Sequence, residues 1–142
     1  MTFFVDANVI VYAATEGEYR GPCLDVLDVI ARGGADGRTS PAVLEEVWYL
    51  ERSGRAGALD GLATSAYTVF TPLLPVTDDA FRLALALRAP QLGPADRVHA
   101  GTCLAHGVNV IVSADVAFDG VRGLRRVDPL DHRALGRLLS AG

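Results

Sequence analysis

The sequence of 142 residues contains no lysine: all thirteen of its basic residues are arginine. Arginine presents a planar, always-charged fork that suits phosphate, but codon composition in the source genome explains the missing lysine equally well. Cysteine is nearly absent too. Cys23 and Cys103 stand far apart among apolar neighbours, with no CxxC pair, which excludes a zinc ribbon or a dithiol redox motif and leaves two reduced core residues. No apolar run approaches the length of a membrane span. The opening MTFFVDANVIVYAA lacks a basic leader and is interrupted by Asp6, so it does not read as a signal peptide, and a soluble, cytoplasmic protein is expected. Neither GxxxxGK nor GxGxxG occurs, which removes the commonest nucleotide-binding loops. Positive charge is also short: seventeen acids against thirteen bases give a formal charge of −4, unlike a protein that coats nucleic acid.

What remains is apolar and regular. Half of the residues are hydrophobic, and the length suits one domain spanning residues 1–142, with no internal repeat, linker or low-complexity tract. Thr2 to Val5 reads as a short buried strand, with a helix opening behind it over Asn8 to Ala14. Pro22 is expected to start a second helix, which Gly33 and Gly34 end, and Asp36 to Thr39 could supply a short strand. Ser40 and Pro41 form an N-cap and first-turn pair for a third helix reaching about Ser53. Further helices are expected over Ala56 to Val69, after Thr77 or Asp78 (carrying Phe81, Leu83, Ala84 and Leu87), from Gly93 and Pro94 to Gly107, and over Asp131 to Leu139. Strands are expected over Leu73 to Val76, Val108 to Val112 and Leu124 to Val127. Short apolar strands separated by helices predict an α/β fold with a buried parallel sheet. In such a sheet the cleft lies beyond the carboxyl ends of the strands, where the winding reverses.

Acids stand at those ends. Asp6 follows the first strand directly, and Asp115 follows the Val108 to Val112 strand after two residues, so parallel strands would put both at one edge. Either alone could simply cap a helix or turn. Glu46 lies in the third helix, whose inward face is set by Val43, Val47 and Leu50; Glu46 borders that face, whereas Glu45 falls opposite unless the helix is rotated. A carboxylate there needs an arginine, a solvated edge or a metal. Asp96 sits in the first turn of the Gly93–Pro94 helix, where acids are common because of the helix macrodipole. On that helix Val98, Ala100, Cys103 and Leu104 would pack inward. Hard divalent cations, Mg²⁺ or Mn²⁺, take oxygen ligands of this kind, and clustered carboxylates repel one another unless an ion neutralises them. Such a site activates water and stabilises a phosphodiester undergoing displacement.

The segments FVDANVIVYA, SPAVLEEV, PADRVHAGTCLAHG and VNVIVSADVAF, in this order, resemble the PIN domain, and specifically the VapC-like ribonuclease toxins of type II toxin–antitoxin pairs. The resemblance runs from about Thr2 to Pro129. It implies a three-layer PIN-like fold, a central parallel sheet flanked by helices, usually assembled as a homodimer. It implies that Asp6, Glu46, Asp96 and Asp115 bind Mg²⁺ or Mn²⁺, with Asn8 and Ser113 as supporting polar groups and Asp119 as an extra acid near the site. The implied activity is metal-dependent endonucleolytic cleavage of RNA, blocked by a small antitoxin protein from the same operon.

Trp48 and Tyr49, next to Glu46, could stack on bases, although aromatics at helical spacing are more often core or dimer contacts. His99, His106 and His132 are unclustered in the sequence and read as surface or structural residues. Arg97 and the Arg122, Arg125 and Arg126 group could meet phosphate, solvated arginines being the default. Response-regulator receivers and aspartyl-phosphate phosphatases also place acids at strand ends, but both rely on a lysine that this chain lacks. The stronger rival is a catalytically silent PIN-like binding or scaffold protein, which has no need to cluster charge.

Overall fold

The computed structural model describes residues 1–141. In chain order they form β1 (Thr2–Val5), α1 (Ala7–Ala13), α2 (Arg20–Ala31), β2 (Asp36–Arg38), α3 (Pro41–Ser53), α4 (Leu62–Phe70), α5 (Asp78–Ala86), α6 (Pro94–Ala105), β3 (Val110–Val112), one 3-10 turn (Val116–Phe118), β4 (Arg125–Val127) and α7 (His132–Ser140). The four strands make one parallel sheet in the order β2-β1-β3-β4, flanked by the helices. Phe3, Phe4, Val5, Ile111 and Val112 are fully buried, because central strands covered on both faces have no polar side to show. From β1 the chain goes to β2 on one side and reaches β3 on the other, so the direction of winding reverses between β1 and β3. Among the described residues no helix is long and apolar enough to cross a membrane.

Several boundaries differ from the sequence reading, each for a local reason. The Leu73 to Val76 strand does not form: Pro72 and Pro75 remove two donors, and Leu74 N–H alone reaches across, to the Thr39 carbonyl at 2.9 Å. Helix α4 begins at Leu62 rather than Ala56, because Gly57 and Gly61 adopt left-handed backbone (φ 99° and 81°). The Glu51 carboxylate of α3 then accepts from Gly61 N–H (3.2 Å) and Ala63 N–H (2.9 Å), capping α4 from outside. Helix α2 begins two residues before Pro22.

Helix α5 turns Ala80 and Ala84, not Phe81, toward its neighbour; Phe81 is half exposed. The cause is on α6, where Gly101 lies so close that a Cβ would collide with the Ala80 carbonyl and the Ala84 nitrogen. Large side chains have no room between the two helices. Helix α6 thus packs closely on α5, touches α3, sets the His99 ring beside Phe4 of β1, and buries His99 to Cys103 without interruption. Val98 and Leu104, expected inward, are only partly buried. Cys23 and Cys103 are buried free thiols. Trp48 and Tyr49 are exposed, which places them outside the core.

Candidate metal centre

Asp6 is fixed before its side chain is considered. Its N–H donates to the Val112 carbonyl at 3.1 Å, extending the β1–β3 pairing by one residue, and its side chain is only 4% exposed. Oδ1 accepts from Ala7 N–H (2.8 Å); Oδ2 accepts from the Ser113 hydroxyl (2.7 Å) and from Asn8 Nδ2 (3.1 Å). Asn8 also donates to Ser113 Oγ (3.1 Å) and accepts from Ala114 N–H (3.2 Å), while Ser113 Oγ accepts from Asp115 N–H (3.0 Å). The ends of β1 and β3 are therefore laced together by Asn8 and Ser113. Burial pushes the Asp6 carboxyl above its ordinary range; the Ser113 hydrogen bond, His99 and Ala7 N–H oppose this, and Glu46 adds to it.

Glu46 reaches the same place from α3, which Ser40 starts by accepting from Val43 N–H (3.4 Å), with Pro41 in the first turn. Glu46 Oε1 lies 2.8 Å from His99 Nε2, whereas Glu45 is exposed. His99 is fully buried, and its Nδ1 has no hydrogen-bond partner. One ligand atom from each of Asp6, Glu46 and His99 lies within 4.8 Å of the other two. For His99 the largest influence is burial, which lowers its pKa; the hydrogen bond to Glu46 and the charges of Asp6, Glu46 and Asp96 outweigh it, and the net direction is upward.

Asp96 stands one turn before His99 on α6, partly buried and outside the tight threesome. Its carboxyl is pushed up to about 6, first by burial and then by the charges of Asp6, Asp115 and Glu46, with His99 opposing. Asp115 follows β3; its Oδ1 accepts from Ala117 N–H (2.9 Å), starting the 3-10 turn. Asp119 faces another partner: Arg126 Nε and Nη2 grip its carboxylate at 2.9 and 3.2 Å and hold it below the usual carboxylate range. Arg126 Nη1 also donates to the Ser113 carbonyl (2.9 Å) and to Asp128 (3.0 Å). Arg97 is similarly occupied, donating to the carbonyls of Leu92, Leu87 and Ala89 in the α5–α6 loop.

The donor set fits a hard divalent cation. Among the described residues no arginine forms an ion pair with Asp6, Glu46, Asp96 or Asp115, although thirteen arginines are present. Uncompensated carboxylates at a half-buried sheet edge repel one another, and oxygen-rich ligation is what Mg²⁺ and Mn²⁺ accept. The sequence reading missed His99 as a member of this group. The available signal was its spacing, three residues after Asp96 and hence on the same helix face.

The structural relatives have the same fold. VapBC2 from Rickettsia felis, bound to a DNA fragment from its promoter, is similar with a TM-score of 0.69 at 16% identity, covering 90% of this chain and 98% of that one. FitAB bound to an IR36 DNA fragment gives 0.64 at 16% identity, covering 89% and 94%. Mycobacterium tuberculosis VapC20, a toxin that cleaves the sarcin–ricin loop, gives 0.61 at 20% identity, covering 87% and 98%. No curated protein sequence matches the chain. Residues 3–124 match the model of the PIN domain, and with strand-end acids on a parallel β2-β1-β3-β4 sheet the chain belongs to the PIN-domain family.

Proposed function

We propose that this chain is a divalent-metal-dependent endoribonuclease acting as the toxin of a toxin–antitoxin pair. The observation that carries the reading is the meeting of Asp6 and Glu46 at the carboxyl edge of the sheet, within electrostatic reach of Asp96 and Asp115 and without an arginine among them. Membership of the PIN family and the likeness of the fold to VapC20 and VapBC2 support it.

In this reading Asp6, Glu46, Asp96 and Asp115 hold Mg²⁺ or Mn²⁺, which when bound supplies an activated water and charge stabilisation for the phosphodiester. Asn8 and Ser113 orient Asp6 by their two hydrogen bonds to Oδ2, leaving its remaining lone pairs for ligation. Asp119 supports the site at one remove, through the Arg126 that grips the Ser113 carbonyl. Tyr49 and Glu46 line a groove of about 360 Å³ beside the cluster, with Leu50 as its apolar wall, and the exposed Tyr49 ring offers a stacking surface for a base of the RNA. The protein is a homodimer in this reading, located in the cytoplasm, and a small partner protein blocks the cleft.

Purified protein should cleave a structured RNA with Mn²⁺ and not with EDTA, and Asp6→Asn or Asp96→Asn should each lower the rate by at least about 100-fold. Mn²⁺ should raise the melting temperature of the parent and of neither variant, since a ligand bound only by the folded state stabilises it. Variants that cut as fast as the parent would overturn the site. A protein with neither cleavage nor a thermal shift is the scaffold instead.

A further inference from the structure

We infer that His99 is a positioning residue, a fixed buried donor that aims the Glu46 carboxylate at Asp6; the inference rests on the metal-site reading above. Glu46 is 36% exposed on a helix edge, where a long side chain is free to swing into solvent. Among the described residues its one hydrogen bond is to His99. His99 has no such freedom: it is fully buried on α6, with its ring beside that of Phe4 at a centroid distance of 6.2 Å. A carboxylate offers only lone pairs, so the hydrogen of this 2.8 Å contact sits on Nε2. The partnerless Nδ1 leaves the ring with a single polar contact.

This bond is also the side-chain hydrogen bond joining α3 to α6 among the described residues, linking the helix that carries Glu46 to the one that carries Asp96. It occupies Oε1 and leaves Oε2 for a cation. An apolar side chain of similar volume would fill the same space and hold nothing, so packing alone does not call for histidine. Two rival roles make different predictions: a packing residue acts on stability only, and a direct ligand puts nitrogen on the metal.

Mn²⁺ binding to the parent, His99→Leu, His99→Gln, Glu46→Ala and the double variant His99→Leu/Glu46→Ala separates them, with metal-free melting temperatures recorded alongside. His99→Leu should weaken Mn²⁺ binding about 10- to 100-fold, the usual range for residues that orient a ligand. His99→Gln, which keeps an amide donor near the Nε2 position, should recover most of the loss. In the Glu46→Ala background His99→Leu should have no further effect, because it acts through Glu46. The electron spin echo of Mn²⁺ in the parent should carry no coupling to imidazole nitrogen. Leu and Gln variants of equal affinity, a full additional loss in the Glu46→Ala background, or an imidazole coupling would each overturn the inference while leaving the nuclease reading intact. A parent that takes up no Mn²⁺ overturns both.

Discussion

Burial and the charges of Asp6, Asp115 and Glu46 raise the Asp96 carboxyl from its ordinary 3.8 to about 6. A group whose folded pKa is raised binds its proton more tightly in the folded state, so its stabilising contribution is complete below about pH 4 and is lost as pH rises through about 6. Asp6 is shifted the same way, and the raised His99 continues the trend above its ordinary 6.5. Without metal the protein should therefore melt at a lower temperature at pH 7.5 than at pH 5, a fall that Asp96→Asn should reduce by removing one of the titrating charges. Calorimetry in EDTA across this range checks it, and a melting temperature that climbs steadily with pH contradicts the electrostatic picture. The residues of the site were unequally legible in the sequence. Asp6 and Asp115 stand where strand ends put them, and of the two neighbouring acids on α3 Glu46 lies near Asp6 and His99 while Glu45 is exposed. His99 was legible only through its spacing from Asp96, because a lone histidine on an apolar helix face carries no mark of the charges that other elements bring to it.

Helices α5 and α6 show why the same reasoning is weaker for elements than for strand ends. Hydrophobic periodicity placed Phe81, Leu83, Ala84 and Leu87 on α5, and of these only Ala84 joins Ala80 in the contact with Gly101. A close crossing selects small residues, whereas a hydrophobic pattern rewards large ones, so the pattern points away from this crossing. Gly101→Ala should accordingly destabilise by about 1–3 kcal/mol, the usual cost of overpacking, despite alanine's better helix propensity. Urea unfolding reads this directly, and an unchanged midpoint would mean that α5 moves aside freely. The missing strand at Leu73–Val76 has a related cause: its apolar residues suit a strand, but Pro72 and Pro75 deny it the ladder. The late start of α4 was hidden for another reason, since Glu51, a residue of the preceding helix, supplies the cap.

Across the whole molecule the formal charge of −4 and the acidic cleft both oppose a polyanion. If the acids hold a divalent ion, RNA binding should depend on that ion more steeply than on arginine contacts, five of the thirteen arginines already being paired with acids. Filter retention of RNA with Ca²⁺ replacing Mg²⁺ should thus be lost in EDTA at constant ionic strength; equal retention in EDTA would assign binding to the arginines. The topology has a temporal meaning as well. β3 pairs Ile111 with Phe4 and Val112 with Val5, and it lies between β1 and β4, strands drawn from the two ends of the chain. Contacts this distant in sequence form late, because loop closure must precede them. A growing polypeptide thus holds Asp6, Glu46 and Asp96 as scattered acids until β3 has been made and paired with β1, and on the proposed reading no metal centre exists before then.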